Sequence, residues 1–245
     1  MFKLAVWNVE RSALKSARVR AAQQLLIAAL GADLVLLTET DRSFALPGYG
    51  SHFSGPPTDR IYKPHEAAAA VFHRWSGEAE GLPIKEAPNL AVCVRFPNSP
   101  LGPLIAYCSV IPYHMCDVGK GAMTWQRHQE SARRQAADWK ELRTRYPDDL
   151  LIVGGDFNQV LGGVGRYRNK VSTTLLRDGF ASSRLACVTD APFKGLSRHN
   201  VNHIAIDDRI AKSRDVKTSA WEGTSEAGRL SDHNGVVVTI GGGST

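Results

Sequence analysis

Apolar and polar positions along the chain follow two patterns, one typical of helices and the other of buried strands. Apolar residues at helical spacing predict helices over 12–30 and 125–145 and a shorter one over 171–178. Gly31 follows the first of these, where a C-cap glycine belongs. Short apolar runs predict strands at residues 2–7, 33–38, 67–73, 89–96, 104–111, 150–154, 184–188, 203–206, 215–220 and 235–240.

Many strands with few helices between them predict an α/β (α+β) fold, in which two sheets pack together and helices cover them. The chain has 245 residues, and we find neither an internal repeat nor a linker that divides it. We therefore expect a single domain over residues 1–240. The remaining residues, 241–245, read Gly-Gly-Gly-Ser-Thr and are expected to form a disordered tail.

The composition is that of a globular protein, with 43% hydrophobic and 22% charged residues. Lys and Arg number 30 against 24 Asp and Glu, and this excess favours a phosphate-bearing partner. No apolar stretch approaches the roughly 18 residues of a membrane span, and no signal peptide is recognisable. We therefore expect a cytoplasmic protein, and a monomer. The four cysteines form no C-x-x-C pair, which argues against a zinc knuckle or a redox motif.

Polar side chains stand at the ends of buried strands, which is where α/β proteins build their sites. Carboxylates gathered at one rim repel each other unless a cation neutralises them, and their oxygens suit Mg²⁺ or Mn²⁺. The sequence does not indicate whether one metal ion or two would bind. The residues concerned are Asn8, Glu10, Glu39, Asp156, Asn158, Ser231, Asp232 and His233.

The order of these segments is more specific than any one of them. Trp7–Glu10, Leu37–Glu39, Gly155–Asn158 and Ser231–His233 follow one another along nearly the whole chain. This ordered set resembles the endonuclease/exonuclease/phosphatase superfamily, the Mg²⁺-dependent phosphodiesterases that include pancreatic-type deoxyribonuclease and the abasic-site endonucleases. The resemblance implies a four-layer sandwich, with two central mixed β-sheets flanked by helices, and an enzyme that hydrolyses phosphodiester bonds.

The resemblance also implies a metal centre. Glu39 corresponds to the principal metal ligand of the family, and Glu10 to an acidic residue near the metal. Asn8 would position metal or phosphate oxygens, and Asp232 would join the metal shell or orient His233.

The remaining motif residues carry the chemistry of the family. Asp156 would orient the attacking water and help to deprotonate it, and Asn158 would position metal or phosphate oxygens. His233 would contact the scissile phosphate as a donor that stabilises developing charge. In-line phosphoryl transfer requires such a nucleophile and preorganised donors.

The chain departs from the family at the residue that orients the catalytic histidine. The family has an Asp there, whereas the best match here is Asn202, in the segment Val201–Ile204. A rival register uses Asp207 or Asp208 but leaves few residues before the next strand, so we favour Asn202. An Asn can hold an imidazole ring but cannot stabilise an imidazolium as a carboxylate does.

A second departure follows the strand over 104–111. Val110 stands where the family often has His or Tyr, so His114 or Tyr113, from the following loop, is a possible substitute; a plain loop histidine is the alternative. Glu66 resembles a family glutamate that opens a middle strand, and its alternative is a surface residue beside a turn.

The substrate prediction depends on a basic loop after Asn158. Arg166, Arg168 and Lys170 carry no acidic residue among them, which favours contact with a polyanion, and Tyr167 could stack on a base. The leading hypothesis is a nuclease acting on DNA or RNA. A phosphatase of inositol lipids or small phosphoesters is the first alternative. The second is a catalytically weakened member of the fold that only binds nucleic acid.

Overall fold

The computed structural model describes residues 1–56, 63–163, 167–226 and 228–243. The α-helices are α1 (Ala17–Leu30), α2 (Gln126–Arg145), α3 (Lys170–Ser182) and α4 (Asp208–Ser213), with 3₁₀ turns at Ser12–Leu14 and Val118–Lys120. The strands are β1 (Phe2–Asn8), β2 (Leu34–Asp41), β3 (Gly50–Phe53), β4 (Glu66–His73), β5 (Glu80–Leu82), β6 (Ala91–Ser99), β7 (Gly102–Val110), β8 (Leu150–Asp156), β9 (Leu185–Cys187), β10 (Asn202–Asp207), β11 (Arg214–Trp221), β12 (Thr224–Ser225), β13 (Gly228–Arg229) and β14 (Gly235–Gly243).

Twelve of these strands form two six-stranded mixed sheets. The first has the order β11-β14-β1-β2-β4-β3 and the second the order β5-β6-β7-β8-β10-β9, while β12 and β13 form a separate hairpin. Each large sheet contains one parallel pair, β1 with β2 and β7 with β8. The connections across these pairs contain α1 and α2, as a crossover between parallel strands requires.

Three apolar clusters define four layers. The central cluster joins the facing sides of the two sheets through side chains such as Val6, Leu36 and Ile152. A second cluster packs α2 and α3 on the outer face of the second sheet, and a third packs α1 on the first sheet. The predicted sandwich of two mixed sheets flanked by helices is therefore confirmed. No helix in the described ranges is long and apolar enough to cross a membrane.

The first helix is shorter than its sequence pattern predicts. Residues 12–14 form a 3₁₀ turn, and α1 begins only after Ser16, whose hydroxyl accepts a hydrogen bond from the Val19 amide at 3.3 Å. This side-chain cap satisfies one of the free N–H groups of the first turn. Gly31 ends the helix in the left-handed conformation at φ 58°, as predicted.

The last strand is longer than expected. It continues to Gly243, which pairs with Arg214 of β11, so residues 241–243 belong to the sheet and not to the tail. Glycine has no side chain, but it still provides the backbone N–H and C=O groups with which β11 pairs. Residues 244–245 lie outside the described residues.

Asp207 closes the end of the second sheet through a buried ion pair with Arg143 of α2. Its carboxylate also accepts hydrogen bonds from Arg209 and from the backbone amide of Leu151. Burial alone would raise the pKa of Asp207, but the hydrogen bonds from Arg209 and the charge of Arg143 lower its pKa to about 2.

This ion pair predicts a loss of stability in acid. Because the folded pKa lies below the unfolded value, the stabilisation is complete above about pH 4 and is lost as the pH falls towards 2. Asp207→Asn should lower the free energy of unfolding by about 3 kcal/mol at pH 7. Urea unfolding of the wild type and of Asp207→Asn across this pH range checks the prediction, because the difference between their free energies of unfolding should shrink in acid. A difference that does not depend on pH would contradict the assignment.

Candidate functional site

The topology brings the ends of four strands to one edge of the sandwich. Asn8 is the last residue of β1 and lies opposite Thr38 of the parallel strand β2, which places it beside Glu39. In the other sheet β8 ends at Asp156, which pairs with Asn202 at the start of antiparallel β10. The sequence motifs therefore meet where the two sheets face each other.

Asn8 links the two sheets at this edge. Its amide Nδ2 donates to Glu39 Oε1 at 3.0 Å and to Asp156 Oδ2 at 2.8 Å, and its Oδ1 accepts from the backbone amide of Glu10 at 2.8 Å. Asn8 is fully buried. Two carboxylates from different sheets are thus held close together through one nitrogen.

Burial makes this arrangement electrostatically costly. It raises the pKa of Glu39, and the nearby charge of Asp156 raises it further against the opposing hydrogen bond from Asn8. Burial also raises the pKa of Asp156, which is fully inaccessible to solvent. A group that must be ionised here therefore gains from a compensating positive charge.

His233 faces the Asp156 carboxylate. Its Nε2 lies 3.8 Å from Asp156 Oδ2 and 3.6 Å from Asp232 Oδ1. The ring is therefore within reach of both carboxylates at this edge, although neither contact has hydrogen-bond length.

Backbone contacts fix the turn that carries His233. The Ser231 hydroxyl donates to the carbonyl of Asn8 at 2.6 Å and accepts from the amide of His233 at 3.0 Å. The Trp7 indole donates to the carbonyl of His233 at 3.0 Å. The end of β1 thus positions the histidine.

Asn202 lies beside this turn but makes no hydrogen bond to the imidazole. Its Nδ2 donates to the carbonyl of Asn234 at 2.6 Å. In the described part of the chain, Asn202 Oδ1 and His233 Nδ1 are both buried without a hydrogen-bond partner. The two atoms are chemically complementary, because an amide oxygen accepts and an imidazole N–H donates.

The two aspartates of the rival register, Asp207 and Asp208, lie at the other end of β10 from the candidate site. Asp207 is at the opposite end of β10 from Asn202 and is held by Arg143. Asp208 begins α4 and pairs with Lys212. Asn202 and Asp207 are five residue steps apart along the strand, about 16 Å at the usual rise.

The Glu10 carboxylate is paired with cationic side chains of the protein itself. Its carboxylate pairs with Lys15 at 2.7 Å and with Arg229, and it accepts from the backbone amide of Asp232 at 3.0 Å. Burial opposes ionisation, but Lys15 and Arg229 lower the pKa of Glu10. In the structure the Glu10 carboxylate therefore holds the Asp232 backbone in position and is neutralised by Lys15 and Arg229.

Glu66 and His114 also contact other residues of the protein. Glu66 is buried at the start of β4, where its carboxylate accepts hydrogen bonds from Arg11 at 2.9–3.2 Å. Val110 pairs with Asp156 in the sheet and offers no polar group. His114 packs its ring against Trp125 and Tyr167, at centroid distances of 5.2 and 5.4 Å.

Strained backbone is concentrated at this edge. Four described residues without the freedom of glycine, Glu10, Arg11, Glu39 and Asn158, have positive φ angles of 47–53° here. Asn158 is fixed by Asp156, which accepts from its backbone amide at 2.9 Å and its Nδ2 at 3.0 Å. Such conformations cost free energy and persist where the surroundings enforce them, as in functional sites.

The predicted substrate loop is described in part. Arg166 lies outside the described residues, whereas Tyr167, Arg168 and Lys170 are exposed. The backbone of Tyr167 is held in place, because its carbonyl accepts a hydrogen bond from the amide of Val160 at 2.7 Å.

Two basic residues of the site were missed from the sequence. Arg198 is exposed and donates to the carbonyl of Asp232, and Arg229 pairs with Glu10. Each reaches the site from a loop or hairpin without a motif. The run of polar residues around Arg198, before the strand that starts at Asn202, is the one signal that could have drawn attention to that loop.

The donor set fits a magnesium ion. Within the described ranges no group of three or more His, Cys, Asp or Glu side chains is placed to hold a metal ion by itself. Mg²⁺ does not need one, since it binds one or two carboxylates and keeps water and phosphate as further ligands. Neither Glu39 nor Asp156 has a Lys or Arg partner among the described residues, so no such side chain there neutralises either carboxylate.

These contacts predict that Glu39 and Glu10 contribute differently to metal binding. Glu39→Gln should weaken Mg²⁺ binding by at least about tenfold, because it removes a charged ligand. Glu10→Gln should have a much smaller effect, because Lys15 and Arg229 already neutralise that carboxylate. Calorimetric titration of both variants checks this, and equal losses would place Glu10 in the metal shell.

Comparisons with known proteins agree with the fold. A model described as the Endonuclease/Exonuclease/phosphatase family matches residues 5–233. No curated protein sequence matches the chain significantly.

Several solved structures have a similar fold. The endonuclease domain of TRAS1, a telomere-specific non-LTR retrotransposon, is 15% identical, with a TM-score of 0.67 and coverage of 98% of both chains. The human Nocturnin catalytic domain is 17% identical, with a TM-score of 0.69 and coverage of 98% of this chain and 94% of that one. An AP endonuclease from Archaeoglobus fulgidus is 12% identical, with a TM-score of 0.69 and coverage of 98% and 99%.

Proposed function

Because the chain belongs to the endonuclease/exonuclease/phosphatase family, we propose that it is a Mg²⁺-dependent (or Mn²⁺-dependent) nuclease. It hydrolyses phosphodiester bonds of DNA or RNA by in-line attack of water. The observation that carries this proposal is a pair of carboxylates, the half-buried Glu39 and the fully buried Asp156, joined through Asn8 and faced by His233.

Asp156, His233 and Asn158 have different roles in the proposed hydrolysis. Asp156 orients the attacking water and accepts its proton, a role favoured by burial, which raises the pKa of this carboxyl. His233 Nε2, which lies 3.8 Å from Asp156 Oδ2, contacts the phosphate and stabilises the charge that develops on it. Asn158 donates from its backbone amide and its Nδ2 to the Asp156 carboxylate and so holds that carboxylate in position.

The metal would be held by Glu39, with Asn8 orienting its carboxylate and Asp232 at the rim. A bound divalent cation supplies positive charge to the non-bridging phosphate oxygens. Glu39 and Asp156 provide the negative charge that retains it.

The exposed cations around this edge favour a polyanion as the substrate. Arg168, Lys170 and Arg198 are all exposed. Nucleic-acid backbones are bound through such basic residues. The named activities of the TRAS1 domain and of the AP endonuclease support the same class.

Cleavage assays on three substrates test the proposal. With Mg²⁺, the protein should cleave plasmid DNA or single-stranded RNA, and chelation should abolish the activity. Release of phosphate from a phosphoinositide panel without nucleic-acid cleavage would favour the phosphatase alternative. Retained DNA binding with no cleavage under Mg²⁺ or Mn²⁺ would identify a weakened binding protein, a possibility raised by the unpartnered Nδ1 of His233.

A further inference from the structure

Exposed apolar side chains are concentrated beside the candidate site. Of the eight large apolar residues that are exposed in the described chain, five lie in two segments, 113–125 and 167–171. They are Tyr113, Met115, Met123, Tyr167 and Val171. Grouped apolar exposure next to a site marks a surface that binds something.

Four aromatic rings organise this surface, which we call the aromatic platform: Tyr113, His114, Trp125 and Tyr167. His114 is at the centre, with ring centroids 6.1 Å from Tyr113, 5.2 Å from Trp125 and 5.4 Å from Tyr167. Tyr113 is 50% exposed and Tyr167 is 39% exposed. Trp125 adopts a positive φ of 71°, which is unusual for a bulky residue.

Both segments are anchored to the strand end that carries Asp156. The amide of Ile111 donates to the carbonyl of Asp156 at 2.8 Å, and Asn158 Nδ2 donates to the carbonyl of Ile111 at 3.0 Å. Val160, two residues beyond Asn158, donates to the carbonyl of Tyr167. The platform is therefore fixed within a few residues of the proposed catalytic carboxylate.

The chemistry of the platform combines flat rings, a polar atom and positive charge. Among the described residues, the buried His114 Nδ1 has no hydrogen-bond partner. The exposed Arg168 and Lys170 follow Tyr167 directly and have no ion-pair partner in the described ranges. A nucleotide matches all three features, with a planar base, polar atoms on its edge and a phosphate.

We propose that the aromatic platform stacks an unpaired nucleobase of the substrate strand next to the scissile phosphate. This inference rests on the proposed function and narrows its substrate to single-stranded nucleic acid, or to strands with an unpaired base. In a duplex the faces of a base are covered by its neighbours, whereas an unpaired base can stack on an aromatic side chain.

Binding measurements in an inactivated background test the inference. Fluorescence anisotropy with a labelled single-stranded oligonucleotide and the Asp156→Asn protein gives a dissociation constant without cleavage. Adding Tyr113→Ala or Tyr167→Ala should raise that constant by about tenfold. The matched Tyr→Phe variants should bind as the parent does. Leu25→Ala, which truncates an exposed apolar residue of α1, is the surface control and should leave binding unchanged.

Two substrate changes sharpen the test. A 2-aminopurine placed along the strand should lose fluorescence at one position on binding, and Tyr167→Ala should restore it. The same sequence as a duplex should bind more weakly. Equal binding of single and double strands, or Tyr→Ala variants that bind like the parent, would overturn the inference. Concentration-dependent dimerisation that the same variants abolish would also overturn it, by assigning the platform to a second copy of the chain.

The two proposals can fail separately. If the wild-type protein cleaves single strands and the tyrosine variants cleave with unchanged KM, the nuclease assignment stands and the stacking role is lost. If oligonucleotide binding depends on the tyrosines but no cleavage occurs with Mg²⁺ or Mn²⁺, the platform stands and the enzyme assignment is lost.

Discussion

Asp156→Asn should lower kcat on nucleic acid by at least about 100-fold with little change in KM. The carboxylate oxygens accept from the backbone and the side chain of Asn158 and from Asn8 Nδ2. An amide cannot accept the proton of the attacking water. Its NH₂ group would also face one of these donors, which would disturb Asn8 and, through it, Glu39.

Three measurements check this prediction. Asp178→Asn changes an exposed carboxylate of α3 and should retain the wild-type rate, so it controls for the loss of charge. Thermal unfolding establishes that the Asp156→Asn protein is folded. The wild-type rate should rise with pH through a pKa above the usual aspartate value, because burial raises the pKa of Asp156. A rate for Asp156→Asn near that of the wild type would show that the catalytic base is elsewhere.

Gly155→Ala should destabilise the fold by more than about 4 kcal/mol. Gly155 has a φ of 148°, and a Cβ there would lie 1.9 Å from the carbonyl oxygen of Ser109. Ser109 is its partner on the parallel strand β7, so the clash is with backbone that cannot move without breaking the sheet. The glycine before Asp156 is thus required by close packing of β7 and β8.

Chemical denaturation compares this variant with a matched glycine. Gly81 of β5 has no atom within 4 Å of an added Cβ, so Gly81→Ala should change the free energy of unfolding by no more than about 0.5 kcal/mol. Recovery of Gly155→Ala only as insoluble protein agrees with the prediction. A soluble variant with the wild-type melting temperature would contradict it.

Local patterns along the chain predicted much of the fold. Helix α2 begins and ends within a residue of the apolar periodicity over 125–145. Gly31 ends α1 as expected, since the requirement for a left-handed residue is local. The strand ends at Asn8 and Asp156 were predicted to within two residues, because each follows an uninterrupted apolar run, whereas β2 continues past Glu39 to Asp41.

Contacts between distant segments could not be predicted in this way. Glu10 resembled a metal-site residue, but its carboxylate is neutralised by Lys15 and by Arg229, which is 219 residues away. Asp207 looked like an alternative partner for the histidine until the register of β10 placed it at the opposite end of the sheet. Such pairings depend on tertiary geometry, which residue type and spacing do not encode by themselves.

The pairing of β1 with β14 has a consequence for biosynthesis. Asn8 and Trp7 are made more than 200 residues before the two groups that they contact, the Ser231 hydroxyl and the His233 carbonyl. Contacts of such sequence separation form late, because the cost of closing the loop comes first. A nascent chain still lacking β14 therefore has no assembled site. Under the proposed function, cleavage would begin only once β14 has been made and has paired with β1.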